Sequence, residues 1–126
     1  MHKPADHPAV SPCLLVADAR GMPGFLAASF GAQELYRKTR EVGSVMRAEV
    51  RIEDSLVMIG ERTGLAASLC GSTHGYVPDA DTCYTSGLAA GAESVSPPTD
   101  QPYGDRTADL RDAEGNLWWI GTHLGA

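Results

Sequence analysis

From Val45 to Ile52 the chain alternates: Met46, Ala48, Val50 and Ile52 fall on one side, Arg47, Glu49 and Arg51 on the other. A period of two predicts a strand with one face on a core and one polar face. Glu53-Asp54 supplies a turn into a second apolar run, Leu56–Gly60. Upstream, Cys13–Ala17 reads as a short apolar strand. Asp18 follows as a helix N-cap, since its carboxylate can accept from a free N–H of the first turn. The spacing then predicts a helix over Gly21–Phe30, with Pro23 in the first turn, where its missing N–H does no harm. Gly31 stands where a left-handed residue closes a helix, and Gln33–Lys38 begins the alternating stretch. The unit reads β-α-β-β-β.

The same grammar returns about 60 residues later. Val16-Ala17-Asp18-Ala19 is matched by Val77-Pro78-Asp79-Ala80, Gly31-Ala32 by Gly91-Ala92, Ala48-Glu49-Val50-Arg51 by Ala108-Asp109-Leu110-Arg111, and Ile59-Gly60 by Ile120-Gly121. Four matches in one order, at an offset of 60 or 61, mark a tandem duplication. The second unit accordingly has a strand at Gly75–Val77, an N-cap at Asp79 and a helix over Asp81–Ala90 ending at Gly91. Strands follow at Glu93–Ser96, Arg106–Arg111 and Leu117–Thr122, with Asp112–Asn116 as the last turn. Two copies are too few for a solenoid. The expectation is therefore one pseudo-symmetric α+β domain over residues 11–126, built from a module at 11–62 and a module at 71–124. A flexible arm is expected over 1–10, a connector over Arg62–Gly71, and a proline-rich loop over Ser96–Pro102.

Local motifs point the same way. Phe25 through Phe30-Gly31-Ala32, Val77-Pro78-Asp79-Ala80-Asp81 with Ala89-Ala90-Gly91-Ala92, and Tyr103-Gly104-Asp105-Arg106 followed by Asp112-Ala113-Glu114-Gly115-Asn116 and Trp118 occur in this order. In that order, and in tandem βαβββ units, the chain resembles the vicinal oxygen chelate superfamily (glyoxalase/bleomycin-resistance/dioxygenase), in particular its PhnB-like branch. Ala113 stands where the branch usually has proline. The resemblance spans about residues 11 to 123. It implies modules that each curl four strands around a helix, and cups formed by their concave faces.

It also implies a test. Metal-dependent members place one ligand on the first and one on the last strand of each module. Alternation puts Val57 and Ile59 under the helix and Met58 in the cup, and the offset of 61 makes Trp119 its counterpart. The first-strand positions are Ser11 and Ser72. A divalent metal of this kind wants imidazole and carboxylate, and these four residues offer none. Shifting the register by one, to Pro12, Val57, Thr73 and Trp118, is no better. No metal and no cofactor are expected.

In place of a metal, alternation gathers Ser72, His74 and Tyr76 on one strand and Leu117, Trp119, Gly121 and His123 on another. Trp119, with Met58 and Tyr76, would form an aromatic and apolar floor suited to a small molecule. Arg47, Glu49 and Arg51, like Asp109 and Arg111, either line the pocket or make a solvated face with cross-strand ion pairs. His74 is either a hydrogen-bonded structural histidine or, paired with Glu49, an acid–base couple. Tyr103 and Arg106 either close over the cup or belong to the fold.

Charge narrows the partners. The 126 residues carry a net charge of −6, so a nucleic acid or an anionic membrane is not expected to bind. With no apolar run of membrane length, and three cysteines (Cys13, Cys70, Cys83) without a CxxC pair, reduced thiols in the cytoplasm are expected. The resemblance implies a homodimer. The leading expectation is a metal-free binder of an aromatic or hydrophobic metabolite or antibiotic, with resistance by sequestration as one consequence. The alternative is a glyoxalase-like lyase, isomerase or dioxygenase using His74 and Glu49 or a displaced metal site.

Overall fold

Two four-stranded sheets, each backed by a helix, share one core. The computed structural model describes residues 2–5, 7–41, 45–62 and 70–125. The first module runs β1 (Cys13–Val16), a short 3-10 turn (Ala19–Gly21), α1 (Met22–Phe30), β2 (Gln33–Thr39), β3 (Val45–Ile52) and β4 (Ser55–Glu61). The second runs β5 (Ser72–Tyr76), α2 (Ala80–Ala89), β6 (Glu93–Asp100), β7 (Asp105–Arg111) and β8 (Leu117–His123). The sheet orders, β1-β4-β3-β2 and β5-β8-β7-β6, are the same arrangement twice. In each, the first strand pairs parallel to the last and the others pair antiparallel. The connector between the modules falls mostly on residues 63–69, outside the described residues.

The helix ends follow the local chemistry. Asp18 accepts from the Arg20 N–H at 3.0 Å, and Asp79 accepts from the N–H groups of Asp81 and Thr82. Gly31 closes α1 at φ +69°, which a side chain would resist.

Val16, Leu26, Val50, Ile59, Leu110, Trp118 and Ile120 are almost fully buried and come from both modules. The modules are joined through their helices. Phe30, at the end of α1, lies 4.9 Å from Trp118 of β8, and the Ser29 hydroxyl donates to the Cys83 carbonyl at 3.0 Å. A Cβ at Gly87 of α2 would stand 2.4 Å from Leu110 and 2.9 Å from the Ser29 oxygen. Only glycine permits that approach.

Two boundaries differ from expectation by more than one residue. β5 begins at Ser72, three residues before the expected strand, because its polar face is open and needs no apolar signal. The expected loop at Ser96–Pro102 is largely strand, since β6 continues to Asp100 through Pro97 and Pro98. An edge strand tolerates prolines because one side of its backbone has no ladder to serve. The pairing jumps from Ser96–Asp109 to Thr99–Thr107 and leaves both prolines out. Each module also carries a bulge at the same place, Leu35 in β2 and Val95 in β6, and both side chains are exposed.

Candidate functional site

Strand register sorts the concave faces into matched rows. Across the first sheet the central row reads Cys13, Met58, Glu49, Tyr36; across the second it reads His74, Trp119, Asp109, Ser96. Met58 and Trp119 therefore hold equivalent places, as the offset implied. Val57 and Ile59 are buried on the opposite face.

In the second sheet, the Trp119 indole N–H donates to Ser72 Oγ at 2.7 Å, fixing the ring while leaving it 36 % exposed. His74 meets Tyr76 edge-on, with ring centroids 4.7 Å apart. Room for both rings comes from Gly121, where a Cβ would lie 3.3 Å from the Tyr76 ring and 3.4 Å from His74 Nε2. The Tyr76 hydroxyl donates to Asp105 Oδ2 at 2.9 Å, and His123 Nδ1 lies 2.9 Å from Asp105 Oδ1. His123 first, and Tyr76 second, hold the Asp105 carboxyl below the usual carboxylate range; the same bond raises the Tyr76 phenol, so that tyrosine is no ready nucleophile. Burial raises Asp109, with Ser96 and His74 pulling the other way.

In the first sheet, Pro4, His7, Leu35, Tyr36, Arg47, Glu49, Arg51 and Met58 line an open groove of about 720 Å³. Glu49 is nearly buried. His7 Nε2 lies 2.9 Å from its Oε1, and Arg47 donates to its Oε2 at 3.3 Å. The arm expected to be loose thus lays His7 across this face, and His7 Nδ1 is buried there with no hydrogen-bond partner among the described residues.

The residues singled out from sequence separate into groups. Trp119, Tyr76 and His74 come together on the second face, while Met58 and Arg47 share the first with Glu49. The expected couple of His74 and Glu49 is not formed, since the two sit on different sheets and Glu49 is engaged by His7 and Arg47. Arg106 donates to both oxygens of Asp81 (2.7 and 3.0 Å) and to Asp100 at 3.0 Å, clamping the start of α2 to β6. Tyr103, 67 % exposed, lies in the turn between β6 and β7. The closing motif is structural at Asp112, whose buried carboxylate accepts from the N–H groups of Glu114 and Asn116, the Asn116 amide and the Trp118 indole. Sequence reasoning missed His7 on Glu49 and the role of Asp105. The second had a signal in the motif, whereas the first had none.

Comparison with known proteins agrees with this architecture. No protein-family model matches the chain. The uncharacterized protein Mb0911c of Mycobacterium bovis is 34 % identical over 125 residues, covering 90 % of this chain and 82 % of the relative. The crystal structure of TioX from Micromonospora sp. ML1 superimposes with a TM-score of 0.77 at 27 % identity, over 92 % of this chain and 100 % of that one. A member of the glyoxalase/bleomycin resistance protein/dioxygenase superfamily from Sphaerobacter thermophilus gives 0.70 at 17 % identity, over 92 % and 98 %. This chain is thus a relative of the mycobacterial protein, and it has the fold of that superfamily.

The superfamily's fold implies a divalent metal held between the ends of the cup. The donors here do not fit one. The four positions carry Ser11, Met58, Ser72 and Trp119, and the hydrogen bond from Trp119 to Ser72 turns two of them toward each other. No group of three His, Cys, Asp or Glu side chains converges among the described residues. Nor is any described helix long and apolar enough to cross a membrane.

Proposed function

We propose that this protein binds a small, flat, aromatic or hydrophobic molecule without a metal and holds it without transforming it. The observation that carries this reading is Trp119. It is a large apolar ring at a metal-ligand position, oriented by Ser72 yet left partly open beside Tyr76 and His74. A fixed, exposed ring is a preorganised stacking surface, because its ordering cost is met before the ligand arrives. The groove beside Met58 and Tyr36 offers a second apolar wall, with Arg47 at its rim.

In this reading the working form is a cytoplasmic homodimer. Open concave faces with exposed Leu35, Tyr36, Val95 and Trp119 leave more apolar surface than a monomer keeps without purpose. An antibiotic held in such a cup would be sequestered, giving resistance without chemistry. In this reading Tyr103, exposed in the turn between β6 and β7, closes over the second face, whereas Arg106 serves through the Asp81 clamp.

The experiment is a titration of aromatic compounds followed by tryptophan emission, with Trp119→Phe as the comparison. Binding should quench wild-type emission saturably, and the variant should lose most of that quench because buried Trp118 remains unaffected. Mass spectrometry should recover the ligand unaltered. Product formation, or stoichiometric metal in untagged protein, would overturn the reading. So would a library in which no compound raises the melting temperature.

A further inference from the structure

The two modules differ in how they neutralise one equivalent arginine. In the second module, Arg111 of β7 lies opposite Glu93 of β6 and makes an ion pair with it at 3.9 Å. In the first, Arg51 of β3 lies opposite Gln33 of β2, sixty residues earlier in both cases. Glutamine cannot neutralise it. Arg51 has no hydrogen bond or ion pair with any described residue, although it is half-buried in the wall of the groove. The nearest carboxylate along its strand, Glu49, is already engaged by His7 and Arg47. Lys38, across from Arg47, adds a further cation to this side of the sheet. A partly desolvated guanidinium without a counter-charge is costly, and its planar fork suits an oxyanion supplied from outside.

We infer that the groove of the first module takes an aromatic anion, a flat apolar body against Tyr36 and Met58 carrying one carboxylate, sulfonate or phosphate group on Arg51. The inference rests on the small-molecule reading above and adds the charge of the ligand. It also accounts for Gln33, whose amide stands beside Arg51 in the register and can donate to the same anion without competing for the arginine.

Two dyes with the same rings test it. 1-Anilinonaphthalene-8-sulfonate carries one negative charge, and N-phenyl-1-naphthylamine is its counterpart without the sulfonate. Both brighten when they leave water. The wild-type protein should bind the sulfonate roughly tenfold more tightly at low salt, and the advantage should shrink as salt is raised. Arg51→Gln should abolish the advantage while leaving the neutral dye's affinity unchanged. Arg51→Lys, which keeps the charge but not the fork, should fall between. Arg111→Gln, at the neutralised position, should change neither dye. Equal affinities in wild type, or a sulfonate preference that survives Arg51→Gln, would overturn the anion site and leave the binding reading standing. Failure of both dyes to bind would overturn the two together.

Discussion

The central rows of the two concave faces diverged from one ancestral unit. Where the first has Cys13, Met58, Glu49 and Tyr36, the second has His74, Trp119, Asp109 and Ser96. The backbone is repeated even to the bulges at Leu35 and Val95, whereas the polar chemistry is not. Glu49 is covered by the arm through His7. Burial raises Asp109 and prevails over the Ser96 and Ile120 hydrogen bonds and the nearby His74, which lower it. The first face keeps an arginine, Arg51, with no counter-charge among the described residues, and the second an exposed indole. Duplication conserves what the shared core needs and leaves the open faces free to specialise.

The largest test of that difference concerns the last turns. The first module turns through Glu53-Asp54 alone, but the second builds Asp112–Asn116 around one buried carboxylate. Asp112→Ala should cost at least about 3 kcal/mol in urea unfolding, since several buried donors lose their acceptor together. A cost under about 1 kcal/mol would show that the Asp112 network is not what holds the module.

Trp119→Met makes the second row resemble the first. Binding of any ligand found by tryptophan quenching should weaken roughly tenfold, with folding little changed. Unaltered affinity, measured by calorimetry, would transfer the site to the first face.

Asp109→Asn probes burial. A carboxyl raised above its ordinary value destabilises the fold only when charged. Its cost is absent below the unfolded value, near pH 4, and develops as pH rises through the raised folded value. The variant should therefore have a higher denaturation midpoint than wild type at pH 7 and an equal one at pH 3. The opposite order at pH 7 would mean that the Ser96 hydrogen bond outweighs burial.

The smallest effect is expected at Glu53, which holds φ +49° in the short turn of the first module. Glu53→Gly should gain roughly 0.5 kcal/mol, as relief of the left-handed conformation slightly exceeds the entropy glycine adds to the unfolded chain. A thermal melt of the two proteins measures it.

The chain's own pattern determined the duplication, the order of strands and helices, and the face on which most strand residues lie. These follow from period, offset and turn chemistry, which are local or repetitive and so legible in one dimension. That is why Met58 could be matched to Trp119 by counting, and Val57 and Ile59 assigned to the core. Met46, which alternation grouped with Ala48 and Val50, is instead exposed while Val45 is buried, beside the register shift at Lys38 and Thr39. Tertiary structure alone decided which polar groups meet. His7 reaches Glu49 across 42 positions, Arg106 reaches back 25 to Asp81, and Asp105 joins Tyr76 from 29 positions behind and His123 from 18 ahead. Hydrogen bonds and ion pairs act over a few ångströms in space and carry no period along the sequence, so two strands of known face can still exchange partners. The separation of His74 from Glu49 has that cause: facing was readable, and proximity was not.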